Sequence, residues 1–380
     1  MAMHSVRSGA AMSKAMALEH EKTLAMLSEA RREVVAEFAD RISELESAVE
    51  AAKKEARPKM PVHRTERSHL VVAPSQELNF LEFSEIPLNV YKKKEPLEAT
   101  VVSRRRAIGV EAPGDIEHVT LETNGKLPYV EGQSIGVLPP GLDEKGRPYQ
   151  QRLYSIASTR YGDDGSGTTV SLCVRRALFE DPETHLEDPA RKGVCSNFLC
   201  DSKTGDTVKI TGPIGKAMLL PENDDSSDII MVATGTGVAP MRAFIRRLFL
   251  ERNPAAAAYD GRAWLFLGVP TTSSLLYPEE FDVAETNSNG HFQAIYAISR
   301  EQPNPMTNDG KCYVQHRLQE HADELFQRLN NGAHIYFCGL KGMMPGIEAT
   351  LQDACQQRDI DFKVWLKNLK TQNRYHVEVY

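Results

Sequence analysis

The 380-residue sequence lacks several features that would each indicate a particular class of protein. It has no excess of positive charge: the formal net charge is -7, whereas proteins that bind nucleic acid carry a basic surplus to neutralise phosphates. Its longest apolar runs, at 229–233 and 264–269, have the length of strands and fall far short of a membrane span. A general polyanion binder and a helical membrane protein are therefore disfavoured, and an acidic partner would need a local basic patch.

The cysteines also lack the C-x-x-C spacing of zinc sites and redox disulfides. The six of them stand singly at Cys173, Cys195, Cys200, Cys312, Cys338 and Cys355. The sequence therefore predicts no metal site, and it suits a reducing compartment.

Residues 1–75 form an extension ahead of the first predicted strand. Residues 1–18 contain basic and small residues but no acid, a composition typical of organelle transit peptides and of disordered tails. Residues 19–55 lack Gly and Pro and carry apolar residues at spacings of three and four, which predicts an amphipathic helix. This helix could bind a partner or tether the chain to a complex, or it could be a solvated helix that packs against the rest of its own chain. Prolines mark a linker after it, at Pro58, Pro61 and Pro74.

Residues 76–225 are predicted to form an all-β domain. Gly and Pro separate short β-type runs, which fall at 98–105, 117–123, 133–138, 151–156, 168–174 and 207–210. Many short strands at near-regular spacing favour an antiparallel barrel or sandwich.

Residues 226–380 have a different pattern, in which strands and helices alternate. Strands are predicted at 229–233, 263–267, 292–298, 334–338 and 362–365, and helices at 240–252, 314–329 and 343–358. This order is typical of a doubly wound parallel α/β sheet. The fold class is therefore α+β and multidomain: a helical extension, a β-barrel and an α/β domain.

The strongest single motif is R-L-Y-S-I-A-S at 152–158. Strand alternation would put Arg152 and Tyr154 on one face and Leu153 and Ser155 on the other. An arginine can grip a pyrophosphate, an aromatic ring can stack on a ring system, and a serine can bond a flavin edge. In isolation, a buried strand with a surface arginine is an equal alternative.

Two glycine-containing turns could bind phosphates. The G-V-C-S-N turn at 193–197 precedes apolar residues and offers backbone N–H groups at a predicted helix start. The T-G-T-G-V-A-P sequence at 234–240 follows one predicted strand and opens a helix, which is where a dinucleotide pyrophosphate lies in a Rossmann-like unit. The pattern is G-x-G-x-x-P, and proline suits the first helical turn.

Two cations, a hydroxyl and an aromatic ring follow the strand predicted at 292–298. They are Ser299, Arg300, Lys311 and Tyr313. This set suits the 2′-phosphate of NADP, and two or three charged hydrogen bonds would favour NADPH over NADH by about a thousandfold or more. An ordinary solvated basic loop is the alternative.

Two further features lie close to the end of the chain. Cys338 ends a predicted strand just before Gly339, although a lone buried cysteine is usually only a small hydrophobe. The alternating V-E-V-Y sequence ends in Tyr380, an aromatic residue that we expect to pack on something flat.

These motifs together resemble plant-type ferredoxin–NADP reductases from about residue 87 to 380. The resemblance rests on R-L-Y-S-I-A-S, G-V-C-S-N-F-L-C, A-T-G-T-G-V-A-P, F-L-G-V-P, S-R-E-Q, Y-F-C-G-L-K-G-M and the terminal V-E-V-Y, in the family's order. It implies an FAD-binding β-barrel followed by an NADP-binding α/β domain. It also implies electron transfer between NADP(H) and ferredoxin, by hydride transfer between nicotinamide and FAD N5 and single-electron transfer with a 2Fe–2S partner.

The resemblance assigns site residues in three groups. Flavin binding is implied for Arg152, Leu153, Tyr154, Ser155, Cys173, Val174, Arg175, Phe179, Gly193, Val194, Cys195, Ser196, Thr236 and Tyr380. NADP binding is implied for Arg175, Thr236, Gly268, Val269, Pro270, Ser299, Arg300, Lys311, Tyr313, Gln315, Gly339, Leu340 and Glu378. The implied catalytic set is Ser155, Cys338, Glu378 and Tyr380, in which Tyr380 stacks on the isoalloxazine until nicotinamide displaces it.

The implied partner is an acidic 2Fe–2S ferredoxin, with flavodoxin as an alternative, docked on a basic rim that includes Arg147, Lys216 and Lys370. The implied location is the plastid stroma, with the helix at 19–55 as a candidate thylakoid tether. Three segments resemble the root-type subgroup, which runs mainly from NADPH to ferredoxin: C-V-R-R-A, D-P-E-T and K-G-M-M-P-G. The direction of electron flow stays open.

Two other functions are alternatives to this one. Sulfite, nitric-oxide and P450 reductases contain a related flavin module, but they carry an FMN domain upstream for which the extension here is too short. A redox-inert NADP-binding scaffold would lack bound flavin.

Overall fold

The computed structural model describes residues 85–179, 181, 187–188, 191–221 and 224–380. The predicted transit-like segment, the helix at 19–55 and the proline linker lie outside the described residues. All of the described residues belong to one compact unit, Arg67–Tyr380.

The first half of this unit is a six-stranded antiparallel sheet. Its strands are β1 (Leu97–Arg106), β2 (Ile116–Glu122), β3 (Ser134–Leu138), β4 (Arg152–Ser155), β5 (Thr169–Arg175) and β6 (Thr207–Ile214). The order is β4-β3-β6-β1-β2-β5, and a bridge between Ile156 and Leu172 joins the two edges of the sheet. The sheet therefore closes around an apolar core that includes Val101, Leu121 and Ile135. All the strands predicted in this half are confirmed.

One helix, α1 (Val194–Asp201), lies between β5 and β6 along the chain, and it packs against β5. It begins directly after Gly193, as the small-residue turn predicts. Its buried face includes Cys195, Leu199 and Cys200, which join the barrel core.

The second half is a five-stranded parallel sheet in the order β11-β10-β7-β8-β9. Its strands are β7 (Ile229–Thr234), β8 (Ala263–Val269), β9 (Phe292–Ile298), β10 (His334–Gly339) and β11 (Tyr375–Val379). Its helices are α2 (Val238–Ile245), α3 (Pro254–Ala258), α4 (Pro278–Asn287), α5 (Val314–Glu320), α6 (Ala322–Asn330), α7 (Met344–Gln356) and α8 (Phe362–Thr371). Four of the five predicted strands are confirmed.

The strand predicted at 362–365 is wrong, because this segment begins α8. The Asp361 side chain accepts a hydrogen bond from the Val364 N–H at 2.9 Å and caps the helix. Trp365 and Leu369, one helical turn apart, are both buried in the core. A window of four residues, F-K-V-W, was too short to reveal this helical period. The fifth strand is instead β11, which pairs with β10 in parallel.

Two predicted helices also differ in detail. The helix predicted at 314–329 divides at His321, where the backbone leaves helical geometry between α5 and α6. The helix predicted at 240–252 begins earlier, at Val238, and continues beyond α2 as a wider π turn, Arg246–Leu250. Among the helices of the described part, none is long and apolar enough to cross a membrane.

A buried ionic network joins the barrel to the α/β half. Arg242 on α2 binds Glu280 on α4 and Asp163 in a barrel loop, each at 2.7 Å, and Asp163 also contacts His118. Burial alone would raise the pKa of Asp163, but Arg242 and His118 hold it well below its usual value. Breaking this network would leave buried charges unpaired, so it fixes the two halves relative to each other.

Candidate functional site

A cavity of about 440 Å³ lies where the barrel meets the carboxyl edge of the parallel sheet. Its lining contains most of the predicted flavin residues: Arg152, Leu153, Tyr154, Ser155, Cys173, Arg175, Gly193, Val194, Cys195, Ser196, Thr236 and Tyr380. Pro139, Tyr149, Gln150, Ala177 and Ala239 complete the lining and were not predicted. A volume of this order is ordinary for a small-molecule or cofactor site.

Two predicted flavin residues are not part of this lining. Val174 is fully buried in the barrel core. Phe179 lies in the segment after β5, and its ring carries the guanidinium of Arg191 at 3.5 Å.

Strand β4 contributes all of its residues to the cavity. The predicted division between its two faces therefore does not decide which residues reach the cavity. Arg152 is exposed, and its guanidinium makes one long contact, 3.4 Å to the Gln151 carbonyl. Its charge is therefore available to an anionic ligand.

The turn at Gly193, where α1 begins, forms another side of the cavity and is held by two hydrogen bonds. The Ala177 N–H donates to Ser196 Oγ at 3.1 Å, and the Asn197 side-chain amide donates to the Gly193 carbonyl at 2.7 Å. A Cβ on Gly193 would lie 2.7 Å from the Ala177 Cβ, so only glycine fits this close approach. Gly193 provides no capping side chain, which leaves the first N–H groups of α1 to a ligand phosphate.

Tyr380 is held in place at the mouth of the cavity. Its N–H donates to the Gly339 carbonyl at 3.0 Å, and its own carbonyl accepts from the Lys341 N–H at 2.9 Å. Its hydroxyl lies 2.7 Å from Thr236 Oγ1. Tyr380 as a whole residue is 62% exposed. The chain end is thus anchored through its backbone, and its side chain is held by the hydrogen bond to Thr236.

Glu378, Cys338 and Ser155 meet at the junction of the two halves. Glu378 on β11 is paired with Cys338 on β10, and its carboxylate accepts from Ser155 Oγ at 3.5 Å and from Ser134 Oγ at 3.1 Å. Burial raises the pKa of Glu378, and it raises the pKa of Cys338 to about 12, so the thiol is neutral at physiological pH. Ser134 was missed, because only the pairing of β3 with β4 brings it here.

The glycines of the T-G-T-G turn let this turn lie directly against the end of β10. Gly235 has a φ of 53°, in the left-handed region. A Cβ on Gly237 would clash with the carbonyl of Cys338 and approach the Gly339 Cα to 2.6 Å. The turn and β10 therefore share one narrow edge of the sheet.

The predicted NADP residues follow the carboxyl ends of neighbouring strands. Gly268 and Val269 end β8, and Pro270 follows it. The N–H groups of Ser299 and Arg300 donate to the carbonyls of Val269 and Pro270 at 3.0 and 2.9 Å. The end of β9 is thereby tied to the end of β8.

The segment before α5 lies over the same edge. The Cys312 N–H donates to Gln302 at 3.0 Å, and Tyr313 caps α5. Arg300, Lys311 and Tyr313 are all exposed. The remaining members of the predicted set lie beside the edge: Gln315 packs against Gly346, and the Leu340 N–H donates to Thr234 Oγ1 at 3.0 Å.

The three cations of the predicted basic rim differ in whether another group contacts their charge. Arg147 forms an ion pair with Asp143 at 2.8 Å, and the Lys370 ammonium lies 5.2 Å from the centre of the Tyr375 ring. Lys216 is exposed. Three more exposed lysines, at 92–94, adjoin Tyr91, which pairs with Gly212 in the same turn region as Lys216. The K-K-K run is visible in the sequence, but only the structure places it here.

Comparisons with known proteins identify relatives over most of the chain. An oxidoreductase NAD-binding domain family matches residues 231–349. The chain is 53% identical over 323 residues to the embryo isozyme of chloroplastic ferredoxin–NADP reductase of Oryza sativa subsp. japonica, covering 84% of each chain. It is 51% identical over 323 residues to chloroplastic root isozyme 1 of Arabidopsis thaliana, covering 84% of this chain and 84% of that one.

The fold also has solved counterparts. The ferredoxin–NADP⁺ reductase of Plasmodium falciparum with 2′P-AMP is 25% identical, with a TM-score of 0.60, and the match covers 77% of this chain and 99% of the other.

Proposed function

The chain belongs to the plant-type ferredoxin–NADP reductase family, and on this basis we propose how its own residues carry out the family's reaction. It is a plastid flavoenzyme that transfers electrons between NADP(H) and ferredoxin, with FAD as its resident cofactor. The observation that carries the proposal is the cavity of about 440 Å³, which is lined by the residues of β4, by the start of α1 and by Tyr380 at the end of β11. Residues 76–225 serve flavin binding and residues 226–380 serve NADP binding.

The residues around the cavity fit FAD in both charge and shape. Arg152 and the first N–H groups of α1, from Val194 to Ser196, would hold the pyrophosphate. Tyr154 and Tyr380 would flank the isoalloxazine, and Phe179 would stack on the adenine. When bound, FAD supplies the hydride acceptor at N5 and divides an electron pair into single electrons.

The carboxyl edge of the parallel sheet would bind NADP(H). The T-G-T-G turn at the start of α2 would receive the pyrophosphate, together with Thr236 and Arg175. Arg300 and Lys311 would bind the 2′-phosphate, with Ser299 and Tyr313 beside them.

At the junction, Tyr380 would act as a displaceable lid. The lid shields the flavin until nicotinamide takes its place, and aromatic stacking worth about 0.5–1.5 kcal/mol beyond buried area permits this exchange. Ser155, Cys338 and Glu378 would then orient the nicotinamide. Cys338 contributes as a neutral thiol, because burial raises its pKa to about 12.

Ferredoxin would dock on the exposed lysines at 92–94 and on Lys216, with Lys370 as a further cation of the rim. Arg147 contributes less to the rim, because Asp143 compensates its charge. A local basic surface gives an acidic partner a docking site on a chain of net charge -7. The helix at 19–55 would be a tether to the thylakoid or to a complex.

The cofactor assignment is tested by purification. The protein should be yellow, and the flavin released on denaturation should be FAD. Arg152→Ala should weaken FAD retention, whereas Lys209→Ala, which removes an exposed cation on β6, should not. A colourless, flavin-free protein would overturn the enzyme assignment.

The docking rim is tested by salt and by paired variants. Turnover with ferredoxin should fall as ionic strength rises, since exposed charges are screened. Neutralising Lys93 and Lys94 should reduce this turnover more than Arg147→Gln does, and reduction of a small uncharged acceptor should not change. Salt-independent ferredoxin turnover would exclude a basic docking rim.

The favoured direction of electron flow depends on reduction potentials, so both directions should be compared with ferredoxins of the host.

A further inference from the structure

The carboxylate of Glu378 belongs to one half of the enzyme, but its hydrogen-bond donors belong to the other. Glu378 lies on β11 of the parallel sheet, whereas Ser134 and Ser155 lie on β3 and β4 of the barrel. Ser134 Oγ donates to Oε1 at 3.1 Å, and Ser155 Oγ donates to Oε2 at 3.5 Å. Ser134 and Ser155 are direct cross-strand partners, so one pair of barrel residues reaches both oxygens.

The two serines differ in position. Ser155 lines the cavity, and its contact with Glu378 is at the outer limit of a hydrogen bond. Ser134 is only 3% exposed, is not part of the cavity lining and makes the shorter contact. Ser155 can therefore turn toward a bound cofactor without leaving the carboxylate unsupported.

We propose that Ser134 is the positioning residue for Glu378. Its hydrogen bond holds the carboxylate at the junction from outside the cavity, while Ser155 remains available to the nicotinamide and the flavin. The inference rests on the proposed role of Glu378. It adds a residue that touches neither cofactor and acts through the carboxylate alone.

The protonation of Glu378 gives this role a distinct signature. Burial raises the pKa of Glu378, and the bonds from Ser134 and Ser155 oppose that rise by favouring the charged form. Cys338 faces Glu378 from β10 and remains a neutral thiol, and the groups that face it from the barrel are the two uncharged serines. Losing the Ser134 bond should therefore raise the pKa of Glu378 further.

The experiment compares Ser134→Ala and Ser134→Cys with the wild-type holoenzyme. Cysteine retains nearly the volume of serine but is a weak donor, so it controls for a cavity left by alanine. Thr211→Val is the matched control: Thr211 on β6 is also 3% exposed, and its hydroxyl has no hydrogen-bond partner in the described part of the chain. The readouts are the pH profile of NADPH-dependent flavin reduction and the Kd for NADP⁺.

Both Ser134 variants should keep FAD and slow flavin reduction by about tenfold, the order expected for one lost hydrogen bond to a charged group. The midpoint of the pH profile should move to higher pH, with little change in the Kd for NADP⁺. Thr211→Val should leave the profile unchanged. Ser134 profiles that superimpose on the wild type, or a shift in Thr211→Val equal to theirs, would overturn the inference.

Glu378→Gln separates this inference from the function on which it rests. If that variant keeps the wild-type pH profile, the proposed role of Glu378 fails. If it removes the pH transition but the Ser134 variants do not move it, only the inference about Ser134 fails.

Discussion

Removing Arg300 and Lys311 should lower the preference of the enzyme for NADPH over NADH by about a hundredfold. Both side chains are exposed at the sheet edge that ends β8 and β9. The adjacent acid, Glu301, forms no ion pair with either cation within the described residues; its carboxylate accepts the N–H of Thr272 at 2.9 Å and also its hydroxyl. Both cations are thus available to the 2′-phosphate, which NADH lacks.

The expected magnitude follows from the number of bonds lost. A hydrogen bond between charged groups contributes about 1.5–3 kcal/mol, and solvent exposure places both cations near the lower limit. Arg300→Ala and Lys311→Ala should each lower kcat/KM for NADPH by about tenfold, and the double variant by about a hundredfold. The kcat/KM for NADH should hardly change.

The assay compares NADPH and NADH with the same small electron acceptor, so that ferredoxin docking does not enter. Lys209→Ala is the matched control. Lys209 is an exposed cation on β6, and its ion-pair partner is Glu98 at 3.7 Å. A double variant that retains its NADPH preference, or that loses NADPH and NADH activity equally, would refute the assignment of the 2′-phosphate site.

Three other variants test separate parts of the structure. Tyr380→Ser should raise the use of NADH, because nicotinamide no longer competes with the ring, and an unchanged ratio of kcat/KM values would remove Tyr380 from its role as a lid. Gly237→Ala should lower the free energy of unfolding by about 1–3 kcal/mol through its clash with the Cys338 carbonyl, whereas a Cβ on Gly342 meets open space, so equal Tm shifts for the two alanine variants would contradict this packing. Burial raises the pKa of Glu251 to about 7, so its stabilising contribution is present below about pH 4.5 and is lost as the pH rises to about 7. Glu251→Gln should flatten the pH dependence of Tm in that range, and an unchanged slope would exclude Glu251 as its source.

Most of the fold could be predicted because each local signal agreed with its environment. The barrel strands are short, are bounded by Gly and Pro, and bury apolar residues such as Ala99 and Val101 on one face. The segment that begins α8 was predicted wrongly, since the four residues F-K-V-W are too few to show a helical period. The terminal strand β11 alternates, but its pairing with β10 depends on contacts distant in sequence.

The candidate site was only partly readable in the same way. Motif residues such as Arg152 and Thr236 are adjacent to glycines or to other motif residues, so the sequence marks them. Ser134 carries no such mark, because its contact with Glu378 spans 244 positions. The compensation of Arg147 by Asp143 likewise depends on a loop conformation that composition does not show.

This chain transfers electrons between NADP(H) and ferredoxin, with FAD as its cofactor. The most direct measurement mixes the purified holoenzyme anaerobically with one equivalent of NADPH and then adds oxidised ferredoxin. The visible absorbance of the oxidised flavin should bleach rapidly with NADPH and far more slowly with NADH, and it should return when ferredoxin is added. A flavin that NADPH does not bleach, or a reduced flavin that ferredoxin does not reoxidise, would contradict the account.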